Sequence, residues 1–219
     1  ALGDHIPLIA KESDVATIDD PQDIPVLSIA DVTIAESTGV ATLTVTLTGR
    51  TIFSTLFDFE AAPTISSPAA NSPDDFEAGT GFGSFPASVS TDAVTTEIVV
   101  AILDDDIDEF DEIFLVTLLT ATEGSGSPQE AVPVDPNNNV AVVTIVDDDD
   151  PPTLEIIAPA DVLESAGSTI VEVRLNGASS AGVAVNFATF DGAATASSDY
   201  IPNAGTLTWE ADETGFRTF

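Results

Sequence analysis

The residues with the greatest potential for chemistry form one acidic run, Asp104–Glu112, in which seven of nine side chains are carboxylates. Packing so many carboxylates together without a cation costs repulsion and raises their pKa values. Ca²⁺ relieves that repulsion well because it takes 6–8 oxygen ligands at about 2.3–2.6 Å, whereas Mg²⁺ demands stricter octahedral geometry. The run therefore predicts a calcium site. A solvated acidic surface or an adaptation to salt is the alternative interpretation.

A second acidic cluster, Asp147–Asp150, directly follows a strand-like segment. The first run lies between two such segments, so it is predicted to be a loop at one end of a sandwich. The ends of several strands converge at each pole of a β-sandwich, and both clusters are expected to share one ion site there. The two apolar residues of the run, Ile107 and Phe110, are predicted to anchor the loop to the core.

Alternation of apolar and polar residues with period two dominates the chain and predicts β-strands. The clearest segments are residues 40–48, 95–103, 112–118, 139–146, 169–175 and 183–190. Clusters of Gly, Pro, Ser and Asp separate them, and no long amphipathic helical pattern occurs. The predicted fold class is therefore all-β, with tandem immunoglobulin-like antiparallel sandwiches. Residues 59–92 and 121–138 are predicted to be long surface loops, the first with room for one strand.

An internal repeat divides the chain. Ile34–Gly39 recurs as Val162–Gly167, which places Glu164 128 positions after Glu36. The predicted units are residues 1–24, the closing strand of a preceding unit or a donor strand, residues 25–150, a first sandwich, and residues 151–219, a second and incomplete sandwich.

The composition excludes several classes of function. The 219 residues include 38 acidic and 4 basic side chains, which gives a formal net charge of −34. Nucleic acid is excluded as a partner and membrane insertion is not expected, because phosphate binding needs clustered Lys and Arg and no long apolar run is present. The chain has no Cys and one His, so thiolate sites and His-based zinc catalysis are disfavoured. With 43% hydrophobic residues, a folded core is expected, and cations or salt must balance its charge.

Several short segments, taken in order, carry a family resemblance. They are Ile34–Ser37, Asp75–Phe76, Ile102–Phe114 and Thr144–Asp149 in the first unit, and Leu163–Ser165, Phe190–Gly192, Ser198–Tyr200 and Gly205–Trp209 in the second. Together they resemble the Calx-beta domain, which is found in sodium–calcium exchangers, an integrin subunit and bacterial surface proteins. The chain is most similar in organisation to tandem Calx-beta repeats of a prokaryotic surface protein.

The resemblance implies a set of metal ligands and Ca²⁺ as the cofactor. The implied ligands are Glu36, Asp75, Asp104, Asp105, Glu109, Glu112, Asp147, Asp148 and Asp149. Asp106, Asp108 and Asp111 are implied to be outer or solvated positions. In the second unit, Glu164 and Asp199 match the pattern, but the acidic loop and closing aspartates have no counterpart. Trp209 and Tyr200 are predicted to pack in the core of the second sandwich rather than to bind a ligand.

Three functions stay open, and none of them is enzymatic. A glycosidase needs two positioned carboxyls in a cleft, whereas these acids crowd one strand end. The first function is a structural or adhesive protein, extracellular or on the cell surface, in which calcium stiffens the junctions between repeats. The second is a calcium-sensing regulatory module of a larger membrane protein.

The third function is a filament subunit. Residues 13–20 alternate like a strand and end in Asp19 and Asp20, the ending also found at Asp147 and Asp148. In this hypothesis they pair with the second unit of another copy by donor-strand complementation, which gives head-to-tail, open-ended assembly. Asp19 and Asp20 would then lie near the acidic residues of that unit. Adjacent repeats of one longer chain are the alternative partners.

Overall fold

The computed structural model describes residues 24–88, 92–124 and 129–219. The first sandwich consists of β1 (Val26–Ile29), β2 (Val32–Ala35), β3 (Val40–Thr48), β4 (Thr55–Pro63), β5 (Gly79–Phe85), β6 (Val94–Ala101), β7 (Ile107–Asp108), β8 (Glu112–Glu123), β9 (Glu130–Ala131) and β10 (Val140–Val146). Short 3₁₀ turns at Glu36–Thr38 and Glu164–Ala166 account for the helical structure of the described part. Among those residues no helix is long and apolar enough to cross a membrane.

Two sheets face each other in the first sandwich. One has the order β1-β3-β6, and the other has the order β2-β10-β8-β4-β5, with β9 added beside β8. Neighbouring strands are antiparallel except for β2, which runs parallel to β10. Alternate residues of each strand point inward, as in β3, where Leu43, Val45 and Leu47 are fully buried between polar threonines. The core therefore follows from the period-two pattern.

The second sandwich repeats part of this plan. Its strands are β11 (Thr153–Ile157), β12 (Glu172–Asn176), β13 (Ala178–Ser179), β14 (Val183–Ala188), β15 (Ala204–Trp209) and β16 (Gly215–Thr218). Three of them form the sheet β11-β12-β16, and β14 pairs with β15. Its core centres on Trp209 and Leu175, each 1% exposed. The prediction that Trp209 packs in the core is therefore confirmed.

The all-β prediction is confirmed, and the strand predicted at 40–48 has the observed bounds of β3. The loop predicted over 59–92 starts too early, because β4 extends to Pro63, and β5 at Gly79–Phe85 is the one strand for which that prediction left room. The predicted loop at 121–138 likewise contains the end of β8 and the short β9. The proposed boundary at 150 falls between β10 and β11, and the segment predicted at 1–24 lies outside the described residues apart from Ile24.

The glycines of β5 have a packing role. Gly81 and Gly83 lie directly opposite Phe59 and Phe57 of β4, and a Cβ at either glycine would collide with the facing ring. The second sandwich repeats this pairing with Gly205 opposite Phe187. A glycine-rich segment that predicts a loop by composition is thus a strand whose missing side chains make room for aromatic rings.

Candidate metal centre

Carboxylates from four segments of the first sandwich meet at the pole where β10 ends, which we call the acidic pole. These segments are the 3₁₀ turn after β2, the connection between β4 and β5, the loop between β6 and β8, and the residues after β10. They supply Glu36, Asp75, Asp104–Glu112 and Asp147–Asp149, respectively. Gly39 ends the 3₁₀ turn with a φ of +75°, a left-handed conformation that glycine adopts without strain.

Glu36, Asp147 and Asp149 form the first of two groups at this pole. Each offers one carboxylate oxygen, and the three oxygens lie within 4.8 Å of one another. The Glu36 side chain is buried, with 4% of its surface exposed. Its Oε1 accepts a hydrogen bond of 3.3 Å from the Asp105 backbone N–H, which ties the acidic loop to the turn after β2.

The second group consists of Asp75, Glu109 and Glu112, whose oxygens also lie within 4.8 Å of one another. Asp75 is oriented by the backbone N–H of Asn71, which donates to its Oδ2 at 2.5 Å. Glu112 Oε2 is buried and has no hydrogen-bond partner among the described residues. The two groups adjoin, because the Glu109 backbone N–H donates to Asp147 Oδ1 at 3.0 Å.

Burial and mutual repulsion raise the pKa values of the three glutamates. The pKa of Glu36 rises to about 7, first through burial and then through Asp105, Glu109 and Asp104. Burial, followed by the charges of Asp75 and other aspartates, raises the pKa of Glu109 to about 7. That of Glu112 rises to about 8, first through burial and then through the adjoining carboxylates of Asp75, Glu109 and Glu36. Without a cation, the pole therefore retains protons near neutral pH.

The donor set fits a hard divalent cation. Two oxygens that bind one Ca²⁺ at about 2.3–2.6 Å can lie up to about 5 Å apart, and both groups meet this limit. All six donors are carboxylates, the ligand type that Ca²⁺ and Mg²⁺ prefer. A buried oxygen without a partner, such as Glu112 Oε2, costs free energy unless a cation or proton satisfies it.

Three predicted ligands lie beside these groups without joining them. Asp148 accepts two hydrogen bonds from Ser37, at 3.2 Å from the backbone N–H and at 2.6 Å from the hydroxyl. Asp105 Oδ1 accepts from the Ile107 N–H at 2.8 Å, which closes a tight turn within the loop. Asp104 contributes to the negative potential at Glu36. The assignment of all nine residues as ligands stays a prediction.

The second sandwich contacts the acidic loop directly. Strand β7 in this loop pairs in parallel with β13. Asp108 Oδ2 accepts a bond of 2.9 Å from the Ser179 hydroxyl, and its carbonyl accepts one of 3.0 Å from the Ser180 N–H. Asp108 is thus an interdomain contact rather than a solvated position. The prediction that Phe110 anchors the loop to the core is wrong, because its side chain is 66% exposed.

All carboxylates of the acidic pole lie in a part of the chain that the sequence model of one domain family matches. The sequence model of the Calx-beta domain matches residues 19–149 and again residues 147–218. The chain belongs to the Calx-beta domain family. Each family match contains one of the two sandwiches. No curated protein sequence matches the chain.

Three solved Calx structures are similar in fold to this chain. The apo form of the Calx CBD1 domain is 23% identical, with a TM-score of 0.45, over 57% of this chain and 99% of that one. CBD12 from CALX1.2 is 21% identical, with a TM-score of 0.43, over 88% of this chain and 74% of that one. The calcium binding domain CBD12 of CALX1.1 is 21% identical, with a TM-score of 0.44 and the same coverage.

The second Calx-beta unit has a sparser pole, which we call the second pole. Its Glu164 and Asp199 occupy the repeat positions of Glu36 and Asp75, and both line one cavity. Within the described residues they belong to no group of three carboxylates. Asp19 and Asp20, predicted to lie near them, are outside the described residues. The prediction that Tyr200 packs in the core is wrong. At this pole its hydroxyl donates a hydrogen bond of 2.8 Å to Asp191 Oδ1.

Proposed function

We propose that this chain is a calcium-binding structural or adhesive protein of the cell surface or extracellular space, and that it is not an enzyme. One observation carries the proposal: the acidic pole gathers six carboxylates in two adjoining groups, and one group includes a buried oxygen of Glu112 that has no partner among the described residues. Bound Ca²⁺ would satisfy that oxygen and offset the repulsion among the carboxylates. It would also stabilise the folded form, since it binds the ordered pole in preference to the unfolded chain.

The donor chemistry favours calcium over other metals. Softer metals select thiolate or imidazole ligands, and the chain has no Cys and a single His. Mg²⁺ holds its own water shell and binds through one or two carboxylates, so six crowded carboxylates suit the larger and more flexible Ca²⁺ sphere.

The position of the site supports a mechanical role. Glu109, which contributes to one group, directly follows Asp108, the residue that contacts Ser179 of the second sandwich. A cation that orders the acidic loop would therefore also order the surface on which the second sandwich rests. In a row of such units, occupied junctions would stiffen the whole array. We further propose head-to-tail contacts with other copies or with adjacent repeats.

The same junction favours a second candidate function, a calcium-sensing regulatory module of a larger membrane protein. A sensor needs two arrangements of its domains that differ in calcium affinity. The interdomain contact in the described residues is small, with two-residue strands β7 and β13 at its centre, and could open or close.

Calcium-titrated small-angle X-ray scattering separates these functions. A static spacer should stiffen, so the distribution of maximum dimensions narrows while its mean stays constant. A sensor should instead show a graded change in mean dimension at micromolar calcium. Scattering that is indifferent to both calcium and chelator would contradict the mechanical proposal and the sensor alike.

A further inference from the structure

Strand β5 is an edge of the first sandwich that is open to pairing with another strand. It is the last strand of its sheet, and within the described residues it pairs only with β4. Its seven residues and their neighbours over 78–88 include no charged side chain. At its centre, Phe82 lies on the outer face of the sheet and is 82% exposed. A long, uncharged edge with an exposed aromatic ring is a template for strand addition.

The other three edge strands of this sandwich are protected. Strand β1 is covered, because the Leu27 N–H donates to the Pro133 carbonyl at 3.0 Å and the Leu27 carbonyl accepts from the Asp135 N–H at 2.8 Å. Strand β2 has only four residues, and β6 carries the exposed carboxylate of Glu97. Short strands, covering segments and edge charges all discourage pairing between molecules. Strand β5 has none of these three features.

The second sandwich has a polar residue where β5 has Phe82. Gly205 of β15 faces Phe187 as Gly81 of β5 faces Phe59, so β15 repeats β5 and Thr206 takes the position of Phe82. The Thr206 hydroxyl donates to Asn186 Oδ1 across the strands at 2.7 Å. An exposed ring at this position is therefore a property of the first sandwich and not a requirement of the shared fold.

The second sandwich also covers the edge of β15 with a side chain. Arg217 Nε donates a hydrogen bond of 2.9 Å to the carbonyl of Thr208. Arg217 faces Val173 as Thr96 faces Val45, so a threonine takes the place of this arginine in the first sandwich. The edge of β5 therefore lacks the guanidinium that covers the edge of β15.

The arginine bond indicates which backbone groups of β5 point outward. Alternate residues of an antiparallel edge strand direct their N–H and C=O groups away from the neighbouring strand. Thr208 is one of these residues, since its carbonyl is bound by Arg217. Ser84 takes the position of Thr208 in β5, so the outward groups of β5 belong to Thr80, Phe82 and Ser84. The side chains of the same three residues are exposed.

We propose that β5 pairs side by side with β5 of a second copy of this chain, antiparallel and with Phe82 of each copy facing Phe82 of the other. In this register Thr80 faces Ser84 of the other copy. The outward backbone groups of these residues would form about six hydrogen bonds between the copies. The two exposed rings would contact each other across the strands, which is a favourable cross-strand pair.

The sequence of β5 favours a second copy as the partner. Residues 80–84 read Thr-Gly-Phe-Gly-Ser, so an antiparallel pair centred on Phe82 matches hydroxyl with hydroxyl, glycine with glycine and ring with ring. Two chains of net charge −34 repel each other, and an uncharged strand is where they can approach at least cost. Asp58, which faces Phe82 on β4, would lie about 14 Å from Asp58 of the other copy, beyond the Debye length of about 8 Å at 0.15 M salt.

This contact goes beyond the proposed function. It joins sandwiches laterally, whereas the proposed contacts between repeats run head-to-tail. Each copy uses the same strand, so the pair is symmetric and closes at two copies. The acidic pole takes no part in the pairing, and the dimer is therefore expected to form in chelator as well as in calcium. Loss of calcium binding and loss of the dimer are thus separate outcomes.

Sedimentation equilibrium of the whole chain at 0.15 M salt with chelator tests the pairing. The test variant is Phe82→Thr, which introduces the residue found at this position in the second sandwich. The control is Val99→Thr, which removes another apolar side chain, 62% exposed on β6. We expect wild type and the control to dimerise with equal affinity and Phe82→Thr to lose at least tenfold. Melting temperatures should agree among the three proteins at concentrations where all are monomeric.

Disulfide cross-linking tests the register. The chain has no cysteine, so Thr80→Cys and Ser84→Cys can be oxidised separately and as a mixture. We expect a cross-linked dimer in the mixture, where positions 80 and 84 of different copies face each other, and little in either variant alone. A wild type that stays monomeric up to millimolar concentration would overturn the proposal. Equal dimerisation by Phe82→Thr, or equal cross-linking of each variant alone, would also overturn it.

Discussion

The acidic pole of the first sandwich and the second pole share one framework but differ in what reaches them. Both have a glutamate on a 3₁₀ turn and an aspartate whose carboxylate accepts from an N–H four residues earlier. The acidic pole adds the loop between β6 and β8 and the residues after β10. Among the described residues, the shared framework therefore positions two carboxylates at each pole, and the additional segments complete the two carboxylate groups of the acidic pole.

The difference in the number of carboxylates also explains why repulsion between them is stronger at the acidic pole. At the acidic pole, burial and neighbouring charges raise the pKa of Glu112 to about 8. At the second pole, hydrogen bonds from the backbone and side chain of Thr195 lower the pKa of Asp199. A crowded pole gains most from a cation, whereas at the sparse pole the bonds from Thr195 already stabilise the ionised Asp199.

Matched substitutions at the two poles should have the largest effect. For the first pole the variant is Glu109→Gln with Asp147→Asn, and for the second it is Glu164→Gln with Asp199→Asn. Calcium at 100 times its dissociation constant stabilises a one-site protein by about 2.7 kcal/mol, or roughly 10 °C in melting temperature for a sandwich of this size. Differential scanning fluorimetry of monomeric samples should show that only the first variant loses this gain. If both variants lost the same gain in melting temperature, the proposed difference between the two poles would be contradicted.

A change of pH should sharpen the contrast. The raised pKa values mean that the folded, metal-free chain holds protons that the unfolded chain releases above about pH 4.5. Its stability should therefore fall as pH rises from about 4.5 to about 8, and calcium should restore more stability at pH 8 than at about pH 5. Denaturant unfolding with and without chelator measures both trends. In Glu112→Gln the metal-free decline should be smaller, and an unchanged decline would contradict the assignment.

The sequence predicted the strands and the crowded carboxylates because both depend on local pattern. Alternation in β3 and the density of acids in Asp104–Glu112 are visible without any tertiary information. Glu36 and Asp75 are single acids in unremarkable surroundings, and only the family resemblance pointed to them. Their role depends on which loops meet at a pole, and a local pattern does not encode that.

The sequence left room for a strand in 59–92 but did not locate β5, and it did not predict the contact between the sandwiches; both have physical reasons. Strand β5 is rich in glycine, and its suitability as a strand depends on phenylalanine rings that lie across the sheet from it. The bond between Asp108 and Ser179 depends on how the two sandwiches dock. Neither residue carries a signal of that contact in its own neighbourhood.

The shared framework can be tested apart from the cation. Gly83→Ala would place a methyl group against the Phe57 ring, at a cost of about 1–3 kcal/mol. Gly79→Ala in the same strand meets no atom within 4 Å and is the control. Gly205→Ala should have a smaller effect in the second sandwich, where its Cβ would lie 3.0 Å from Phe187. Urea unfolding should give the same difference in unfolding free energy between Gly83→Ala and Gly79→Ala with and without calcium. A difference that depends on calcium would contradict the claim that the framework can be tested apart from the cation.

The smallest effect is expected at the contact between the sandwiches. Ser179→Ala removes the 2.9 Å bond to Asp108 and should cost about 1 kcal/mol. Ser180→Ala is the control, because its hydroxyl makes a longer bond of 3.4 Å to the Asp108 carbonyl. Hydrogen exchange of the β13 amides measures the difference. Faster exchange in Ser180→Ala than in Ser179→Ala would reverse the assigned order.

Isothermal titration calorimetry with calcium tests the central claim most directly. It compares the wild-type chain with Glu112→Gln and Glu164→Gln, at low salt and at a concentration where the chain is monomeric. We predict that wild type and Glu164→Gln bind calcium with equal affinity, and that Glu112→Gln loses at least tenfold in affinity. No binding by wild type, or a loss confined to Glu164→Gln, would contradict the claim that the acidic pole of the first sandwich holds the cation.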